Sequence, residues 1–217
     1  MDSSVTVRDT ASTSLVDVVR DHSKIQLDVG CGGNKRPGWV GLDIRPLPGV
    51  DIVHDIEDFP WPLPDDCARV IQLSHIIEHI PPVGYRLEVI RGGPDQPVAG
   101  YPPTDPVLYP IIDVKLHRTK PHLELMDELH RILEPSGQVW ITCPYGWSHG
   151  FVQDPTHAKP INEDYFEYFT PVAKTKALSG LYNIYTPKPW EWVTSEYDTG
   201  GNLLTVLRTI KEKEVTP

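Results

Sequence analysis

The stretch that most narrows what this chain can fold into runs from Ile25 to Ile44. An apolar run, Ile25-Gln26-Leu27-Asp28-Val29, ends in Gly30-Cys31-Gly32-Gly33. After a short polar loop a second run, Trp39-Val40-Gly41-Leu42, ends in Asp43-Ile44. Glycines at the carboxyl end of the first let a ligand approach the backbone closely, and an acid at the end of the second can accept hydrogen bonds from two ribose hydroxyls. The pair predicts a nucleoside pocket. A dinucleotide site is disfavoured, because its fingerprint needs a third glycine opening a helix that receives the pyrophosphate. Here Gly33-Asn34-Lys35-Arg36-Pro37 follows instead, and Pro37 does not continue a helix interior.

The remaining pattern alternates strands with a helix. Val50–His54 reads as a third strand followed by Asp55-Ile56, and Phe59-Pro60-Trp61-Pro62-Leu63-Pro64 is barred from regular structure because prolines remove alternate amide donors. Arg69–Leu73 is a fourth strand that delivers Ser74, His75, Glu78 and His79 to the same edge. From Pro82 to about Lys120 the prolines, glycines and Tyr85, Tyr101 and Tyr109 predict a long stretch without regular structure, ordered as a lid over the substrate. Pro121 suits the first turn of a helix whose Leu125, Met126, Leu129, Ile132 and Leu133 recur at helical spacing, and Glu134-Pro135-Ser136-Gly137 ends it. Gln138–Cys143 is a fifth strand. Asn162 caps a short helix over Glu163–Phe169, and Trp190–Tyr197, a Gly200-Gly201-Asn202 turn and Leu203–Arg208 make a terminal hairpin. One domain over 14–210, with an insertion at about 84–120, is expected. Residues 1–13 form a disordered tail, Ser14 caps a short helix over Leu15–Arg20, and 211–217 fray.

At Leu27-Asp28-Val29-Gly30-Cys31-Gly32 the chain resembles the first motif of the class I S-adenosylmethionine-dependent methyltransferases, and more narrowly their type 11-like members. Asp43 resembles their second-strand ribose acid. The likeness continues in order through His54-Asp55-Ile56, Ser74-His75-Ile76-Ile77-Glu78-His79-Ile80 and Leu129–Gly137, and so spans most of residues 25–145. It implies a Rossmann-like α/β domain with a mostly parallel seven-stranded sheet and an antiparallel terminal hairpin. It further implies S-adenosylmethionine held by Asp28, Gly30, Cys31, Gly32, Asp43, Ile44, Asp55, Ile56 and Ser74, with Asp43 on the ribose, Asp55 on the adenine amino group and Ile56 on the adenine face. The loop between the first two strands departs from the family: it is too short for the crossover helix that parallel strands normally need, which alters the methionine end of the pocket.

Charge and cysteines bound the partners. Thirty acidic against twenty basic residues give a formal net charge of −10, which repels a phosphate backbone, so a small molecule, glycan or protein is expected as acceptor and nucleic acid is disfavoured. Cys31, Cys67 and Cys143 are odd in number and lack CxxC spacing, and read as reduced thiols. No apolar run approaches the roughly 18 residues that span a bilayer, and the polar first residues lack a signal core, so a cytoplasmic protein is expected.

The reaction implied is in-line transfer of a sulfonium methyl to an oxygen or nitrogen, for which the protein positions the acceptor and removes its proton. Imidazole is the side chain best poised near neutral pH, and His157, then His79 and His149, are the candidate bases. Two readings compete over His75-Ile76-Ile77-Glu78-His79. It matches the inverted zinc-peptidase pattern HxxEH, but Pro81-Pro82 follows at once and denies it a long helix. It is also similar to the Glu-x-x-Glu-His segment with which some methyltransferases, including ubiquinone-pathway and small-RNA 2'-O-methyltransferases, hold a divalent ion. In that reading His75, Glu78, His79 and a downstream His157 are the ligands, and imidazole would favour zinc, iron or nickel over magnesium. Metal-independent transfer is the expectation. The alternative from another class is a non-catalytic module that keeps the nucleoside pocket and binds a partner through its insertion.

Overall fold

The computed structural model describes residues 24–91, 111–171 and 185–211. Along the chain come β1 (Ile25–Val29), β2 (Val40–Asp43), β3 (Ile52–Val53), β4 (Ala68–Ser74), a 3-10 turn over Ile77–His79, β5 (Gly84–Arg91) and β6 (Ile111–Thr119). They are followed by α1 (Pro121–Ile132), β7 (Leu133–Pro144), α2 (His149–Val152), α3 (Glu163–Glu167), β8 (Trp190–Tyr197) and β9 (Asn202–Thr209). Seven strands form one sheet in the order β3-β2-β1-β4-β7-β9-β8. The pairs from β3 to β7 are parallel, whereas β9 runs antiparallel to both β7 and β8. Counted without the β5–β6 ribbon, the order is 3-2-1-4-5-7-6, reversing direction of travel between β1 and β4. Open α/β sheets bind ligands in the crevice at such a reversal.

The core follows from the apolar runs. Leu27, Val29, Leu42, Ile71, Leu73, Val139 and Ile141 are buried along the central strands. Against them α1 places Leu125, Met126, Leu129 and Ile132, all fully buried, at the expected helical spacing. Burial of each such side chain contributes about 1.5–3 kcal/mol. Pro121 opens α1 where its missing amide costs no hydrogen bond, and the helix stops at Ile132 because Leu133 turns extended. Leu133 then pairs with Ala68, so the segment 133–137, expected to be a helix end, enters β7 instead.

β1 and β2 pair in parallel although no helix connects them. The loop 30–39 is held by other means. The carboxylate of Asp28 accepts the Arg36 amide at 3.0 Å, and Lys35 pairs with Asp51 at 2.7 Å. Asp51 also accepts the Gly41 amide at 2.7 Å. A Cβ on Gly41 would stand 2.6 Å from the Lys35 stem and 2.7 Å from the Cys31 sulfur, so the glycine is what lets the loop lie on β2.

The insertion is the main correction. Instead of a stretch without regular structure, its described parts are β5 and β6 paired as an antiparallel ribbon, with Leu87 opposite Leu116 and Val89 opposite Val114. The period-2 alternation of Tyr85-Arg86-Leu87-Glu88-Val89 was hidden by the proline-rich residues that follow it. Tyr85, Leu87, Val89, Val114 and Leu116 are exposed, while Glu88 pairs with His117 at 2.7 Å. Tyr101, Tyr109, the expected tail over 1–13, the helix after Ser14 and most of the expected frayed end lie outside the described residues. Among the described residues no helix is long and apolar enough to cross a membrane.

Candidate functional site

The carboxyl ends of β1 and β2 form a cradle. Gly30 and Gly32 have φ of 66° and 55°, a conformation that L side chains rarely adopt. The Gly30 and Cys31 amides donate to the Leu42 carbonyl at 2.7 and 3.3 Å, which folds the turn back over β2. Asp43, buried at the end of β2, accepts the Gly32 amide at 2.8 Å through Oδ2, and the Arg45 amide and Nε at 2.9 and 3.2 Å through Oδ1. Burial pushes the Asp43 carboxyl up, but the Arg45 and Gly32 amides and the Arg45 guanidinium outweigh it and hold the group below the ordinary carboxylate range. Burial, with Asp28 and Asp43 close by, pushes the Cys31 thiol up and keeps it protonated.

Other residues expected around a nucleoside are arranged less uniformly. Ile44 is exposed just beyond Asp43. Asp55 is exposed and accepts the Glu57 amide at 3.0 Å, while Ile56 is half-buried against the core. Ser74 ends β4 and is exposed, and His75 beside it takes a φ of 57°. A residue other than glycine held there marks strain, which concentrates at functional sites.

Beyond β4 the chain gathers a second set. Glu78 is fully buried, and among the described residues neither carboxylate oxygen has a hydrogen-bond partner. Around it stand His75 Nδ1 at 3.4 Å from Oε1 and His157 Nε2 at 4.0 Å from the same oxygen. One ligand atom each from Glu78, His79 and His157 lie within 4.8 Å of one another. The imidazoles of His79 and His157 meet edge to face at 4.7 Å, and Phe151 stacks on His157. Hydrogen bonds assign the tautomers. His157 Nδ1 donates to the Phe151 carbonyl at 2.8 Å, so in the neutral ring Nε2 carries the lone pair. Thr156 donates its hydroxyl proton to Asp154 at 2.7 Å, so His79 Nδ1 donates to Thr156 Oγ1 at 3.1 Å, and in the neutral ring Nε2 carries the lone pair. Burial pushes Glu78 above the ordinary carboxylate range, against the pull of its own amide and of His75, His79 and His157.

No protein-family model matches the chain, and no curated protein matches it. Solved structures of similar fold include the antibiotic-resistance methyltransferase Kmr at 13% identity, with 97% of this chain and 96% of that chain covered and a TM-score of 0.45. A SAM dependent methyltransferase from Archaeoglobus fulgidus is 14% identical, with 91% and 92% covered and a TM-score of 0.48. The 1,6-didemethyltoxoflavin-N1-methyltransferase of Burkholderia thailandensis, solved with bound 1,6-didemethyltoxoflavin and S-adenosylhomocysteine, is 10% identical, with 92% and 77% covered and a TM-score of 0.45. The strand order 3-2-1-4-5-7-6 with its antiparallel last hairpin decides the architecture. The chain has the class I methyltransferase fold.

In this methyltransferase fold the cradle and the histidine cluster lie at one edge, because β1, β2 and β4 run parallel and end on the same side. His149 is placed elsewhere: it is exposed at the start of α2, and among the described residues no side-chain contact joins it to Glu78, His79 or His157. The peptidase reading of HxxEH is excluded by geometry, since His75 directly follows a strand and only a single 3-10 turn comes after it. Arg45 was not legible as a site residue, nor was the contact of Thr156 and Asp154 with His79. Arg45 lies two residues past the ribose acid, and the Asp-x-Thr turn orients His79 only because the fold brings residue 156 to residue 79. A divalent ion fits the second set chemically. A buried carboxylate without a hydrogen bond faces two imidazoles whose tautomers are fixed by a carbonyl and a hydroxyl, as metal-ligating histidines are usually held.

Proposed function

We propose that the chain is an S-adenosylmethionine-dependent methyltransferase acting on an oxygen or nitrogen of a small-molecule, glycan or protein acceptor. The observation that carries the reading is Asp43, a buried and ionised acid at the end of β2, hydrogen-bonded to the Gly32 amide across the mouth of a glycine turn. A carboxylate offers about four acceptor positions. The backbone takes two, and the contact from Arg45, whose side chain is 64% exposed, is the one a ribose hydroxyl replaces. Gly30 and Gly32 give the cofactor room against the backbone, Asp28 holds the loop 30–39 through the Arg36 amide, and Ile44, Asp55, Ile56 and Ser74 border the adenosine.

When bound, the cofactor supplies an electrophilic methyl group, so the protein's task is to present the acceptor and take its proton. His157 Nε2 is the proton acceptor. Its tautomer is set by the Phe151 carbonyl, and the imidazolium that forms faces the buried Glu78 carboxylate, which His75 also approaches. His79, oriented by Thr156, completes the polar wall. The net charge of −10 favours an acceptor other than nucleic acid.

A second reading is supported by the same carboxylate. A buried Glu78 without a hydrogen bond is balanced equally well by a divalent ion shared with His79 and His157, which would hold and acidify the acceptor. Calorimetry with S-adenosylhomocysteine tests the cofactor, and transfer of labelled methyl to a metabolite or lysate panel separates an enzyme from a non-catalytic module that only retains the nucleoside. Absence of S-adenosylhomocysteine binding by the folded protein would overturn the proposal.

A further inference from the structure

A cavity of about 810 Å³, within the size range of small-molecule sites, is lined in part by residues that follow the histidine cluster closely in the chain. Two of its walls continue the segments that carry the cluster. Pro82 and Val83 follow the Ile77–His79 turn, and Lys159 follows His157 by two residues. The amides of Ala158 and Lys159 both donate to the Glu78 carbonyl, at 2.8 and 3.2 Å, so Lys159 is pinned to the same point as the candidate base. One wall is tied down by hydrogen bonds at His122. His122 Nε2 donates to the Ile80 carbonyl at 2.9 Å and its Nδ1 accepts the Tyr165 hydroxyl at 3.0 Å.

What distinguishes the cavity is its charge. In a chain with ten more acids than bases, Arg118, Lys120 and Lys159 converge on one space. None of the three has a carboxylate partner among the described residues, and Asp164 is the one acid in the lining that is described. The ammonium of Lys120 sits 3.4 Å from the centre of the Tyr185 ring, and that of Lys159 lies 4.8 Å from the centre of the Tyr165 ring. Such contacts hold the ammonium groups in place without cancelling their charge. Unneutralised cations over aromatic walls match a compact anion carried on a ring, since phosphates and carboxylates are bound by such donors while the body of the molecule stacks.

We infer that this cavity is the acceptor subsite and that the acceptor is a small molecule bearing a phosphate or carboxylate group. The inference rests on the methyltransferase reading above and names the substrate class for it. Its test is calorimetry on the full chain saturated with S-adenosylhomocysteine, using phenyl phosphate, benzoate and uncharged benzamide as probes. Phenyl phosphate and benzoate are expected to bind at least tenfold more tightly than benzamide. Lys159→Gln and, separately, Arg118→Gln should weaken phenyl phosphate at least fivefold and leave S-adenosylhomocysteine affinity within twofold. Arg118 and Lys120 are exposed, so Arg118→Gln and Lys120→Gln decide the matter if Lys159→Gln fails to fold. Equal affinity for benzamide and the anions, or anion binding untouched by the variants, overturns the subsite while the cofactor reading stands. Failure to bind S-adenosylhomocysteine overturns the cofactor reading and the subsite with it. Tighter binding of a single-stranded oligonucleotide than of phenyl phosphate overturns the small-molecule class in favour of a polyanion. A crystal structure of the ternary complex should place the phosphate among the three cations with the ring directed toward His157. A ring directed away from His157 overturns the acceptor assignment.

Discussion

The amide of Ala158 donates to the main-chain carbonyl of Glu78 at 2.8 Å, joining residues eighty positions apart and bringing His157 to the buried carboxylate. That bond makes the histidine cluster a property of the fold, and two substitutions test it. His157→Ala is expected to lose at least a hundredfold in methyl transfer, within the usual contribution of a general base, while S-adenosylhomocysteine affinity stays unchanged. Glu78→Gln should lose activity in the same way, because the imidazolium is left without its counter-charge. Activity is expected to survive exhaustive chelation. Stoichiometric zinc or iron in the purified protein, with activity lost on chelation and restored by the ion, would establish the metal reading instead.

Asp43→Ala should weaken S-adenosylhomocysteine binding by roughly tenfold to a hundredfold, from losing a charged acceptor worth about 1.5–3 kcal/mol. Because Asp43 also holds the Gly32 and Arg45 amides, the same change should lower the unfolding midpoint. Asp43→Asn keeps an acceptor oxygen and should show the binding loss with a smaller change in stability. Calorimetry alongside chemical denaturation checks both, and unchanged affinity in either folded variant would sink the ribose assignment.

Two neighbouring glycines should behave oppositely. A Cβ on Gly30 would meet Ile76 Cδ1 at 2.0 Å, and its φ of 66° is strained for any L side chain. Gly30→Ala should therefore cost about 1–3 kcal/mol of stability and disturb the cradle. Gly33 has open space around its Cβ position, and Gly33→Ala should lie within about 0.5 kcal/mol of the parent. Equal unfolding midpoints for the two variants would contradict the geometry.

Stability should fall as pH drops from about 6.5 toward 4. Burial, with Lys159 near one and Lys211 near the other, pulls His122 and His130 down to about 4 from an ordinary 6.5. Both pKa values are depressed on folding, so in that window the unfolded chain binds more protons than the native one. The contribution is complete above about pH 6.5 and is lost as pH falls through 4, amounting to up to about 3 kcal/mol per histidine. Urea midpoints at pH 7.5 and 4.5 measure it. His130→Gln should flatten the slope, and identical midpoints at the two pH values would show that the histidines stay solvated.

The sequence by itself determined the sheet and its ligand edge. Apolar runs at Ile25–Val29, Val40–Asp43 and Ala68–Ser74 end in Gly30, Asp43 and Ser74, and strand periodicity with turn chemistry is local information that needs no knowledge of distant residues. The capping of α3 by Asn162, the start of α1 at Pro121 and the terminal hairpin were legible for the same reason. Three features were decided only by the tertiary structure. The β5–β6 ribbon depends on pairing Gly84–Arg91 with Ile111–Thr119, and the intervening prolines mask its alternation. The loop 30–39 is held without a helix because Asp51, from beyond β2, reaches both Lys35 and Gly41. The burial of Glu78 without a hydrogen bond and the convergence of Arg118, Lys120 and Lys159 arise from contacts between segments far apart in the chain. Burial and charge balance are sums over neighbours in space, and a sequence lists only neighbours along the chain.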